Sequence, residues 1–154
     1  MTNLSSEVIR RLSGKTLVTA ESCTGGGIGA ALTDVSGSSA VYKGGVVSYT
    51  NEVKNQVLGV SQELLDRYGA VSPWVAGEMA TGVRKLLKAD IAVSVTGLAG
   101  PGGDDRGNPV GTVYIGYEDA SKASVHHFCF SGEREAVREQ AVRAALTLIL
   151  EFNT

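Results

Sequence analysis

The apolar positions of this chain change period several times, and each change marks an element. Leu4, Val8, Ile9 and Leu12 recur at helical spacing up to Ser13 and Gly14. "KTLVTA" then reads as a short buried strand, its apolar run ending too soon for a helix. Ile28, Ala31, Leu32 and Val35 form a second helical stripe, which "SGSS" (Ser36 to Ser39) closes as a turn. "VYKGGVVSYT", rich in β-branched and aromatic residues, predicts a strand closing at Tyr49. Asn51 is the N-cap expected for a helix through Lys54, Val57 and Leu58 to Gly59. Ser61 opens a short helix ending near Gly69, and Ser72 with Pro73 carries N-cap and N1 chemistry for a longer one through Met79, Val83 and Leu87.

"DIAVSV" reads as a fully buried strand, and "TGLAGPGGDDRGNPVG" follows as a loop too rich in glycine and proline for regular structure. Loops of that length are uncommon unless they serve a function. "TVYIGYE" and "ASVHHFCF" are two further strands, joined directly and hence antiparallel. Val137, Ala141, Ala144, Ala145 and Leu148 line one face of a terminal helix. Strands alternating with helices, then a hairpin, give an α/β domain with a mixed sheet.

Composition narrows this modestly. The 154 residues, 43% hydrophobic and 19% charged, fit one globular domain over residues 1–154. A formal net charge of −2 supplies no basic field for nucleic acid or an anionic membrane, so neither is an expected partner. No apolar run approaches a membrane span. Two distant cysteines, Cys23 and Cys129, and an amino terminus without an apolar signal core argue against a disulfide scaffold and secretion, leaving the cytoplasm as the expected location.

The chemistry concentrates in "TAESCTGGGIGAAL" (Thr19 to Leu32), where a strand gives way to a helix. Unpaired backbone N–H groups gather at such a junction, and they can hold an anion or stabilise a developing oxyanion. The plain alternative is that Ser22 or Thr24 caps the helix and the glycines turn the chain. A dinucleotide-binding turn matches at Gly25, Gly27 and Ala30, but Asp34 comes too early and Glu52 too late for the ribose-binding acid. A nucleoside triphosphate loop fails too, because no Gly-Lys-Ser or Gly-Lys-Thr follows.

Lys54 falls near position N3 of its predicted helix, where the positive end of the dipole disfavours a second positive charge. Burial there would lower its pKa and free a neutral amine to act as a base. A solvated surface lysine is the alternative. A serine, a lysine and a tyrosine brought together form a nucleophile and proton relay without histidine. Spacing alone does not show that Ser22, Tyr49 and Lys54 converge.

"AESCTGG", "TDVSGSSAVYKGGVVSYTNEVK", "LGV", "YGAVS", "TGLAGPGG" and "PVGTVYIG", in that order over nearly the whole chain, resemble the carboxy-terminal domain of the CinA family. The resemblance implies a three-layer α/β/α sandwich with a mixed, mostly parallel sheet, assembled as a homo-oligomer. It implies hydrolysis of the carboxamide of nicotinamide mononucleotide, a small pyridine nucleotide, to nicotinate mononucleotide and ammonia, with no cofactor and no metal. Carried onto matching positions, it makes Ser22 the nucleophile and Lys54 and Tyr49 its activating partners. A non-catalytic nucleotide-binding paralogue is the alternative. One departure is Asn108, which stands before "PVGTV" where the family often has a basic residue.

Backbone N–H groups from Ser22 to Gly26 are candidate oxyanion donors, so Thr24, Gly25 and Gly26 are expected at the substrate, as are Thr96 and Gly97 just past a strand end. Arg106, whose fork suits phosphate oxygens, is the candidate partner of the nucleotide phosphate; pairing with Asp104 or Asp105 is its alternative. The two aspartates lack the ligand spacing of a calcium loop. Cys23 is a rival nucleophile, with His126 and His127 later in the chain, against its commoner reading as a small buried residue.

Overall fold

The structure is a computed structural model that describes residues 1–154. Its elements are α1 (Thr2–Arg11), β1 (Leu17–Glu21), α2 (Gly27–Thr33), a 3-10 turn (Ser38–Ala40), β2 (Tyr42–Val47), α3 (Asn51–Gln56), α4 (Gln62–Tyr68), α5 (Pro73–Leu87), β3 (Ile91–Gly97), β4 (Thr112–Glu118), β5 (Ala123–Cys129) and α6 (Arg134–Phe152). The strands form a single sheet in the order β2-β1-β3-β4-β5. β1 pairs in parallel with β2 and β3, whereas β4 runs antiparallel to both β3 and β5. Four of the five strands therefore point the same way, and the sheet is mixed as expected.

Both faces are covered, which is why β1 and β3 read as unbroken apolar runs rather than alternating ones. Leu17, Val93, Val95, Val113 and Ile115 point toward α1, α2 and α6, where they join Val8, Leu12, Ile28, Leu146 and Ile149 in the larger core. Val18, Ala20 and Ala92 point the other way, onto Val75, Met79 and Val83 of α5 and Leu58 and Leu65 beyond it. Gly116 lets α5 settle against the sheet: a Cβ there would lie 2.6 Å from the Ala76 carbonyl oxygen. Ser94 Oγ donates to that same oxygen at 2.6 Å.

Several boundaries follow the sequence signals. Ser61 and Ser72 cap α4 and α5 by accepting from the N–H groups of Leu64 and Val75, and Pro73 is the first residue of α5. Two do not. β2 ends at Val47, so Tyr49 lies beyond the strand. Thr50, not Asn51, caps α3, its Oγ1 accepting from Val53 N–H at 3.3 Å, which moves Lys54 to the fourth helical position. No helix is long and apolar enough to cross a membrane.

Candidate active site

The order β2-β1-β3 means that the chain leaves β1 toward one side of the sheet and later returns on the other. In open α/β sheets the crevice at such a switch, past the carboxyl ends of the strands, is where ligands bind. A cleft of about 570 Å³ opens there, within the range of small-molecule sites. Its floor carries Ser22 and Cys23 after β1 and Thr96 and Gly97 at the end of β3.

Lys54 reaches this floor from α3. Its Nζ donates to Ser22 Oγ at 3.0 Å and to the Ser48 carbonyl at 2.7 Å, and the residue is only 1% exposed. Ser48 is itself fixed to the strand before the nucleophile: its N–H and Oγ both donate to the Glu21 carbonyl, at 2.7 and 3.2 Å. Burial pushes the Lys54 ammonium from its ordinary 10.5 down to about 8. A serine hydroxyl and an amine whose pKa is brought down toward neutrality thus touch in a desolvated place, an arrangement that can serve nucleophilic catalysis.

The nucleophile turn is clamped from two sides by residues that sequence reasoning did not single out. Glu21, 2% exposed, accepts from Thr24 Oγ1 at 2.6 Å and from the N–H groups of Ile28 and Gly29 at 2.9 and 3.0 Å. Its carboxylate is therefore what holds the first turn of α2, and neither Ser22 nor Thr24 caps it. Arg138 of α6 donates from the other side to the Cys23 and Thr24 carbonyls, at 3.0 and 3.3 Å. The N–H groups of Cys23 and Thr24 have no backbone acceptor, whereas those of Ser22, Gly25 and Gly27 bond to Val95, Ser22 and Thr24 carbonyls.

This arrangement changes the part expected of the glycines. Thr24 turns its side chain back to Glu21, and neither it, Gly25 nor Gly26 lines the cleft. Gly25 and Gly26 take φ values of +59° and +100°, and a Cβ on Gly25 would lie 3.3 Å from Arg138 Nη2. They are needed for a left-handed turn and for the approach of α6. Thr96 and Gly97 do line the cleft, Thr96 Oγ1 donating to the Ala70 carbonyl at 2.8 Å.

Tyr49 stands at the rim, 59% exposed, where its hydroxyl accepts from Arg134 Nη2 at 3.1 Å. It makes no hydrogen bond to Ser22 or Lys54. Arg134 also donates through Nη1 to the Gly100 carbonyl at 2.7 Å, fastening the base of the loop between β3 and β4. The signal that singled out Lys54 was present here too, since Arg134 is the first residue of α6, a position the helix dipole makes unfavourable for a cation.

Arg106 lines the cleft, but its terminal nitrogens are already engaged: Nη1 donates to the Arg67 carbonyl and Nη2 to the Asp66 carbonyl, both at 2.6 Å. Its Nε lies 3.6 Å from Asp105. The fork expected to be free for phosphate is thus directed at the end of α4. Cys23 is 6% exposed, and burial above all pushes its thiol up to about 11, so it is protonated at neutral pH. His126 and His127 sit on β5, remote from the cleft lining, the former against Phe152 and the latter stacked on Tyr114. No three His, Cys, Asp or Glu side chains are grouped so as to hold a metal ion.

The sequence of residues 1–153 matches the model of the CinA C-terminal domain. The chain belongs to that family. CinA relatives include a CinA-like protein of Endomicrobium trichonymphae, 51% identical over 135 residues, which are 88% of this chain and 32% of that protein. The chain therefore spans about a third of such longer relatives. Nicotinamide-nucleotide amidohydrolase PncC of Escherichia coli (strain K12) is 48% identical over 141 residues, covering 90% of this chain and 86% of that protein. The crystal structure of a CinA superfamily protein from Escherichia coli superposes with a TM-score of 0.96 at 39% identity, covering 98% of this chain and 89% of that one.

Proposed function

We propose that this chain hydrolyses the carboxamide of nicotinamide mononucleotide, giving nicotinate mononucleotide and ammonia. The observation that carries the reading is the buried contact between Lys54 Nζ and Ser22 Oγ at 3.0 Å, on the floor of a cleft of nucleotide size. The similarity to the PncC amidohydrolase supplies the substrate.

Neutral Lys54 takes the Ser22 proton while Oγ forms a bond to the carboxamide carbon. The charge that develops on the amide oxygen is met by the N–H of Cys23, which lines the cleft and has no backbone acceptor. The Lys54 ammonium then returns its proton to the nitrogen, the C–N bond breaks, ammonia leaves and an acyl ester remains on Ser22. Water, deprotonated by Lys54, attacks the ester; the C–O bond breaks and the proton returns to Ser22. Proton transfer is direct, because Lys54 touches Ser22 whereas Tyr49 is held by Arg134 at the rim. Tyr49, Thr96 and Gly97 line the space for the rest of the substrate.

The test is ammonia release from nicotinamide mononucleotide by the purified protein, with nicotinate mononucleotide appearing in equal amount. Binding without ammonia release would instead mark a non-catalytic nucleotide-binding protein.

A further inference from the structure

The loop from residue 98 to 111 is one wall of the cleft, to which it contributes Gly100, Gly102, Asp104, Asp105 and Arg106. Asp104 organises its tip: the carboxylate accepts from the N–H groups of Arg106 and Asn108, both at 3.1 Å, and from the Asn108 side-chain amide at 2.6 Å. Two side chains tie this tip to the opposite wall. Arg106 donates to the Asp66 and Arg67 carbonyls, and Asn108 Nδ2 donates to the Val71 carbonyl at 3.3 Å.

The seat of Arg106 is built to receive it. Asp66 and Arg67 lie in the last turn of α4, where carbonyls lack helical partners and a cation is favoured. Gly69 follows with φ +78°, and a Cβ there would come within 3.3 Å of Arg106 Cγ, so the arginine stem packs on the glycine. Three acidic residues, Asp66, Asp104 and Asp105, also line the cleft that Arg106 lines, and like charges at a binding surface oppose association of an anion.

We propose that Arg106 is a positioning residue that clasps the tip of the 98–111 loop to the end of α4. It thereby sets the affinity of the cleft for phosphorylated and unphosphorylated ligands alike, rather than gripping the phosphate. This rests on the reading of the cleft as a pyridine-nucleotide site. Opening the clasp loosens a wall of the cleft and leaves the contact between Ser22 and Lys54 untouched.

The experiment compares the parent protein with Arg106→Ala by titration calorimetry, using nicotinate mononucleotide and its phosphate-free riboside, with hydrogen exchange of the loop amides alongside. A clasp predicts that both ligands weaken by a similar factor, roughly tenfold, as a charged hydrogen-bonding group is lost. It also predicts that amides of residues 98–111 exchange about tenfold faster while those of α6 do not change. Weakening of the nucleotide alone would make Arg106 a phosphate contact and overturn the proposal, as would unaltered affinities for both. Should the parent bind neither ligand, the pyridine-nucleotide reading fails and exchange alone decides: faster loop exchange supports the clasp, unchanged exchange overturns it.

Discussion

Lys54 is a long cationic side chain in a place with almost no water, and its usefulness follows from that discomfort. Removing solvent disfavours the ammonium and brings the pKa from 10.5 to about 8. At pH 7 roughly a tenth of the protein then carries the neutral amine, against well under a thousandth for an unperturbed lysine. With neutral Lys54 as the proposed base, kcat/KM for the amide substrate should rise about tenfold per pH unit up to about 8 and level off above it. A pH-rate profile checks this, and a flat profile between pH 6 and 8.5 would remove Lys54 as the base. Cys23, its neighbour, illustrates the other sign: burial that frees a proton from lysine holds one on a thiol.

At the scale of elements, the site is assembled where β1 gives way to α2, and its rigidity comes from what ties the two together. Glu21 gathers the Thr24 hydroxyl and the Ile28 and Gly29 N–H groups in a buried place. Glu21→Ala leaves those donors unsatisfied and should lower stability by about 2–4 kcal/mol, read as a shift of the urea midpoint at unchanged m-value. An effect below about 0.5 kcal/mol, the size expected of ordinary surface changes, would contradict this account of the turn. Much of the architecture was legible because it rests on local rules: Ser61, Ser72 and Pro73 begin helices wherever such residues precede an apolar stripe. Glu21 was not, because its contacts reach seven and eight residues ahead into α2. The cap at Thr50 was missed because Thr and Asn cap comparably well, and only the geometry chooses between neighbours. Ser22 and Lys54 could be named from their motifs, whereas their contact spans 32 residues and depends on β1 and β2 lying side by side. Arg138 comes from still further along the chain, 115 residues from the carbonyl it holds.

The whole molecule brings these parts together through its strand order. With β1 in the middle of the parallel part of the sheet, the ends of β1 and β3 open a crevice that α3 can enter from one side and α6 from the other. α3 contributes Lys54, α6 contributes the two arginines that hold the turn and the rim, and the β3–β4 loop closes a wall. Two adjacent residues in that crevice, Ser22 and Cys23, carry nucleophilic atoms, and the chemistry proposed for Lys54 requires the serine. The decisive measurement is therefore ammonia release from nicotinamide mononucleotide by Ser22→Ala and Cys23→Ala beside the parent, each shown to be folded by its circular dichroism. Cys23→Ala should keep kcat within about threefold, and Ser22→Ala should lose about 10³-fold or more, as expected when the nucleophile of a covalent mechanism is removed. Activity that survives in Ser22→Ala and vanishes in Cys23→Ala would contradict the serine mechanism.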